Sequence, residues 1–137
     1  MDVTIQVTGT QQVDGESDTV ELITDGTMTK TAEETTLCYN ETEATGMAGT
    51  VTTLYIQPSK VTLERRGPNA GLLVLEHNKR HSCSYMTPVG QMMLGVFTDQ
   101  MQQNLKEGLG TLSLSYTLDV GGRVLSRQLL KIKVSER

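Results

Sequence analysis

The chain has 137 residues and a mass of 15.0 kDa, the size of one domain with room for a substantial core. Its 12 basic and 16 acidic side chains leave a formal charge of -4, which argues against nucleic acid as a partner, because gripping a phosphate backbone needs clustered Lys and Arg. Only 36% of residues are hydrophobic and Phe97 is the sole Phe, so aliphatic side chains and Met must fill the core; no apolar run approaches the roughly 20 residues that span a bilayer.

At the N-terminus Val3, Ile5 and Val7 alternate with Thr4, Gln6 and Thr8. That period of two puts alternate side chains on opposite faces and marks a half-buried strand. The pattern runs through Gln11 and Gln12 to Asp14-Gly15, a hairpin turn into a second strand at 19–24. Asp25-Gly26 predicts another turn or bulge before residues 27–30. In the next strand Leu37, Tyr39 and Glu41 share one face and Cys38 and Asn40 the other, and the loop 45–49 ends it. Residues 50–56 are rich in β-branched and aromatic types, and Pro58-Ser59 turns them into a partner strand at 60–67.

Gly67-Pro68-Asn69 breaks the chain before a strand at 72–76, and Asn78-Lys79 is a tight polar link to residues 81–88. A strand at 90–98 contains Gly95, a residue that suits a bend or a close backbone approach. Residues 99–107 suit either a short helix capped by Thr98 or Asp99, or a strand that continues past a bulge; the strand is the favoured reading. Leu112, Leu114, Tyr116 and Leu118 then line one face of a strand, and Gly121-Gly122 turns it into a last strand carrying Leu130, Ile132 and Val134.

Some ten short segments at regular spacing predict a single all-β domain over residues 1–137. Consecutive hairpins make an up-and-down meander, and closing it removes the exposed edges that invite aggregation. The expected architecture is therefore a closed antiparallel β-barrel of about eight to ten strands. The start MDVTIQV has neither the basic residues nor the apolar stretch of a secretion signal, so a cytoplasmic location with free thiols at Cys38 and Cys83 is expected.

Several separated features resemble the YwiB-like family of bacterial β-barrels. They are Tyr39-x-Glu41 followed by residues 45–54, then Arg65-x-Gly67, Tyr85-x-Thr87-Pro88-x-Gly90, residues 95–98, and Gly110-x-Leu112-x-Leu114-x-Tyr116-x-Leu118. Together they cover about two-thirds of the chain. The resemblance implies a calycin-like (lipocalin-like) barrel whose interior is either filled or holds one small ligand, and it supplies no activity. Leu75 stands where such proteins commonly carry an aromatic residue, and Val89 where they often carry Tyr.

Arg65 shares strand parity with Val61 and Leu63, so its guanidinium is expected to point inward, where a buried charge needs a partner. Glu41, inward by the same parity as Leu37 and Tyr39, is the expected partner. Two readings follow. In one, Arg65 binds the carboxylate or phosphate of a ligand while Tyr39, Tyr85 and Tyr116 offer hydroxyls; in the other, Arg65 and Glu41 are an ion pair that plugs the barrel. His77, His81 and Cys83 have a tempting spacing, but no fourth ligand is evident and no metal is expected. Met92, Met93 and Met101 read as core filling, and Lys79, Arg80, Lys131 and Lys133 as solvated.

The expected function is that of a non-enzymatic cytoplasmic barrel binding a small anionic or partly apolar molecule near Arg65. No catalytic residue, cofactor, nucleic acid or membrane is expected, and the protein is expected to be a monomer or homodimer. A structural or protein-interaction barrel with a filled interior is the alternative. An enzyme using Glu41, Arg65 and a tyrosine as acid and base is a third, weaker reading.

Overall fold

A computed structural model of the protein describes residues 1–87 and 89–137. Pro88, at the end of the segment expected at 81–88, lies outside them. Ten strands follow in chain order: β1 (Asp2–Val13), β2 (Glu16–Lys30), β3 (Thr35–Asn40), β4 (Val51–Ile56), β5 (Lys60–Arg66), β6 (Gly71–Glu76), β7 (Arg80–Thr87), β8 (Gly90–Lys106), β9 (Leu109–Val120) and β10 (Arg123–Glu136). One turn of 3-10 helix, Glu43–Thr45, sits between β3 and β4. Each strand pairs with its sequence neighbours, and β1 also pairs with β10, so the meander closes into an antiparallel barrel of ten strands.

The register explains the closure. Ile5 stands opposite Val134 and Val7 opposite Ile132, so the apolar sets of the first and last strands fall on the same inner face. The two-residue turns between long strands need a left-handed backbone: Asp14 and Gly15 have φ of 50° and 81°, and Gly121 and Gly122 of 58° and 90°. This is the turn geometry whose twist matches the flanking strands.

At several points the structure refines or corrects the sequence reading. Asp25-Gly26 is no turn, because β2 runs unbroken through it. Gly26 is there for space: a Cβ on it would lie 2.5 Å from Ile5 Cδ1 and 2.6 Å from the Cys38 carbonyl oxygen, so β1 and β3 close tightly around it. Residues 99–106 are strand, resumed after a register shift between Thr98 and Gln100. Gly95 is a close approach, and the group that approaches is Arg80, whose Nη2 lies 2.7 Å from Asp119 Oδ1. Arg80 is thus paired rather than merely solvated. Met93 is 60% exposed and contributes nothing to the core, whereas Met101 packs against it.

Antiparallel connectivity places the chain ends and the β2–β3, β4–β5, β6–β7 and β8–β9 links at one end of the barrel and the other five links at the opposite end. The first end is filled. Ile5, Leu37, Leu54, Leu63, Leu75, Leu112 and Ile132 are among its fully buried side chains, and Gln103 reaches across to donate to the Gln57 carbonyl at 2.6 Å. The other end is built unevenly. Only Gly26–Lys30 of β2 pair with β3, so the upper half of β2 projects beyond it beside β1.

Candidate functional site

Above the packed layer the interior opens into a cavity of about 770 Å³. Tyr39, Glu41, Arg65, Tyr85 and Tyr116 all line it, so the five candidate residues named from the sequence meet in one place. Register brings them together. Tyr39 on β3 stands opposite Thr52 on β4, Thr52 opposite Arg65 on β5, and Arg65 opposite Gly71 on β6, which in turn faces Tyr85 on β7. Gly71 lets the Tyr85 ring lie flat on the wall, for a Cβ there would come within 2.5 Å of Tyr85 Cδ2. The ring's hydroxyl is thereby delivered to Arg65, whose Nη1 donates to it at 3.2 Å.

The expected ion pair between Arg65 and Glu41 does not form. Among the described residues no carboxylate oxygen lies within 4.0 Å of the Arg65 guanidinium. Glu41 is satisfied by hydroxyls instead. Thr52 Oγ1 donates to Oε2 at 2.6 Å and Thr45 Oγ1 donates to Oε1 at 2.9 Å, while the Glu41 backbone N–H donates to the Thr50 carbonyl at 2.8 Å. Parity correctly turned both charges inward, but the residues that intercept Glu41 come from β4 and from the helical turn after β3. Among the described residues Arg65 has Tyr85 as its hydrogen-bond partner, and its Nε is buried with none.

The electrostatics follow from this crowding. Burial pushes the Tyr39 phenol well above its ordinary range; the neighbouring Glu41 adds to the rise and Arg65 opposes it. Burial likewise raises Tyr116, with Arg65 pulling the other way. For Arg65 itself burial works against the charge, but Tyr85, Tyr116 and Glu41 around it more than offset that, so the guanidinium stays charged. The cavity thus holds a cation beside the phenols of Tyr39, Tyr85 and Tyr116 and a carboxylate capped by threonines. The remaining wall is mostly aliphatic, with Val7, Val20, Leu118, Leu125 and Leu130 carried by the long strands, and Asp18 and Gln128 add polar groups to it.

Three residues that shape the site, Thr45, Thr52 and Gly71, escaped the sequence reading. Thr52 was findable only through register, since it lies between Tyr39 and Arg65 in the sheet and far from both in sequence. The histidines and cysteine with metal-like spacing are dispersed. His81 Nε2 lies 2.8 Å from Glu76 Oε1, buried Cys83 accepts from the Val74 N–H at 3.3 Å, and His77 bridges to Thr98. No helix among the described residues is long and apolar enough to cross a membrane.

Against solved structures, the barrel matches the crystal structure of the ywiB protein from Bacillus subtilis with a TM-score of 0.80, covering 98% of this chain and 92% of that one. The two are 20% identical, a level at which the likeness speaks for the fold. No curated protein gives a significant match. The family model described as "Domain of unknown function (DUF1934)" matches residues 5–132, from the first strand to the last. Because that match spans almost the whole barrel, and the fold is that of the ywiB protein, the chain belongs to this YwiB-like family of domains of unknown function.

Proposed function

We propose that the protein is a non-enzymatic binding module of the cytoplasm, which holds a small molecule in the open half of the barrel with an anionic group of the ligand on Arg65. One observation carries this reading: a charged guanidinium faces a cavity of about 770 Å³ with a single phenol as partner and an unsatisfied Nε. Burying a charge is costly unless hydrogen bonds and an opposite charge compensate it, and among the described residues Arg65 has one hydrogen-bonded phenol and no carboxylate in direct contact. A ligand carboxylate or phosphate accepting from Arg65 and from the Tyr85 and Tyr116 hydroxyls supplies what is missing. The aliphatic wall opposite takes an apolar portion, in the usual division of labour of small-molecule sites. Two free cysteines, Cys38 and Cys83, on different strands suit a reducing compartment.

Native mass spectrometry of protein purified from cells without denaturation tests the reading. The expected spectrum contains a co-purifying small molecule, which Arg65→Met removes while the melting temperature stays unchanged or rises, since no carboxylate of the chain is stranded by the change. A bare wild-type mass, together with a large loss of stability in Arg65→Met, favours instead a structural barrel in which Arg65 serves only the fold. The filled lower half is the feature that supports this second reading.

A further inference from the structure

The two charges in the cavity are held apart, and each is incompletely used. Glu41 accepts one hydroxyl at each carboxylate oxygen, which leaves a further lone pair on both. Arg65 offers the unused N–H groups of its fork. Thr52 stands between the two, opposite Tyr39 on one side and Arg65 on the other, so the two poles are set just past the end of β3 and on β5, with β4 between them. Adjacent strands are about 4.8 Å apart, which places the charged groups within the span of a single small molecule.

From this geometry we infer that the ligand is zwitterionic: an anionic group on Arg65 and a protonated amine on Glu41, joined by an apolar body against the aliphatic wall. The inference rests on the cavity being a ligand site. Its physical basis is charge balance. A purely anionic ligand brings a second negative charge beside Glu41, and like charges set close together in a partly desolvated site repel strongly. A zwitterion satisfies both poles and adds no net charge to a cavity that Asp18 also lines. The hydroxyls of Thr45 and Thr52 then hold the Glu41 carboxylate in place to receive the amine.

Three probes of nearly one shape separate the possibilities: leucyl-leucine, its N-acetyl derivative without the positive charge, and its C-terminal amide without the negative one. Their binding to the whole wild-type protein is measured by isothermal titration calorimetry near neutral pH. Leucyl-leucine is expected to bind at least about tenfold more tightly than either derivative, the scale of one uncompensated charge. In Glu41→Gln, checked for an unchanged fold by circular dichroism, the advantage over the N-acetyl form is expected to vanish while that over the amide remains. If the N-acetyl form binds wild type as well as leucyl-leucine and Arg65→Met abolishes both, the zwitterion inference is overturned and the ligand-binding reading stands. If none of the three binds, the inference is overturned; if native mass spectrometry also shows an empty protein, the binding reading falls with it.

Discussion

Asp119 shows how a single side chain ties the sheet together. Its carboxylate takes a two-pronged grip from Arg80, at 2.7 and 3.1 Å, and accepts from the Gly122 N–H at 2.9 Å, so one residue on β9 fastens β7 and the β9–β10 turn. The Arg80 hydrogen bonds, and after them the Gly122 bond, hold its pKa below the ordinary aspartate value of 3.8. The sign is that of a depressed carboxylate. Its stabilising contribution is complete above the unfolded value and is lost as pH falls through the folded one. Denaturant midpoints measured from pH 6 downward are thus expected to decline in the acid range. Asp119→Asn is expected to start lower and to decline less steeply; an unchanged slope contradicts this role. In the cavity, parity turned Tyr39, Glu41, Arg65 and Tyr116 inward, as observed, because side-chain direction along a strand is a local property, whereas Tyr85 was named without a parity argument. What the sequence could not show was who bonds whom. The Thr52 hydroxyl takes Glu41 away from Arg65, and that depends on which strands lie side by side.

At the scale of strands, most boundaries were legible because alternation and turn residues agree with each other. Asp14-Gly15 and Gly121-Gly122 sit between clean period-2 runs, and each forms the turn expected of it. Gly26 misled for a physical reason: a glycine needed for close packing is indistinguishable in sequence from one needed for a turn. Its φ is not among the positive ones, whereas Ile5 Cδ1 and the Cys38 carbonyl crowd the place of its missing Cβ. Gly26→Ala is accordingly expected to cost about 1–3 kcal/mol, the usual penalty of overpacking, because the Cys38 backbone cannot give way as a side chain can. Urea unfolding followed by circular dichroism measures it, and a cost below about 0.5 kcal/mol contradicts the packing role. The stretch 99–106 is the converse case. Its polar composition is equally compatible with a helix, and what makes it strand is pairing with β9, a long-range contact.

For the molecule as a whole, one barrel combines two interiors. The half nearest the chain ends is packed with aliphatic side chains and closed by Gln103, while the other half stays open because the short strands β3 to β6 stop where β1, β2, β9 and β10 run on. Closure of the sheet was foreseeable from the chain of hairpins; the division of the interior was not, since it follows from differences in strand length and from the polar ring that Arg65 and Glu41 set across it. Such a ring cannot collapse into an apolar core, so it keeps the cavity open. The most direct measurement is a crystal structure of the protein purified from cells under native conditions. The expected result is density for a small molecule within hydrogen-bonding distance of the Arg65 guanidinium, with Glu41 still bonded to Thr45 and Thr52. A cavity holding only water, with Arg65 turned onto Glu41 as an ion pair, would contradict it.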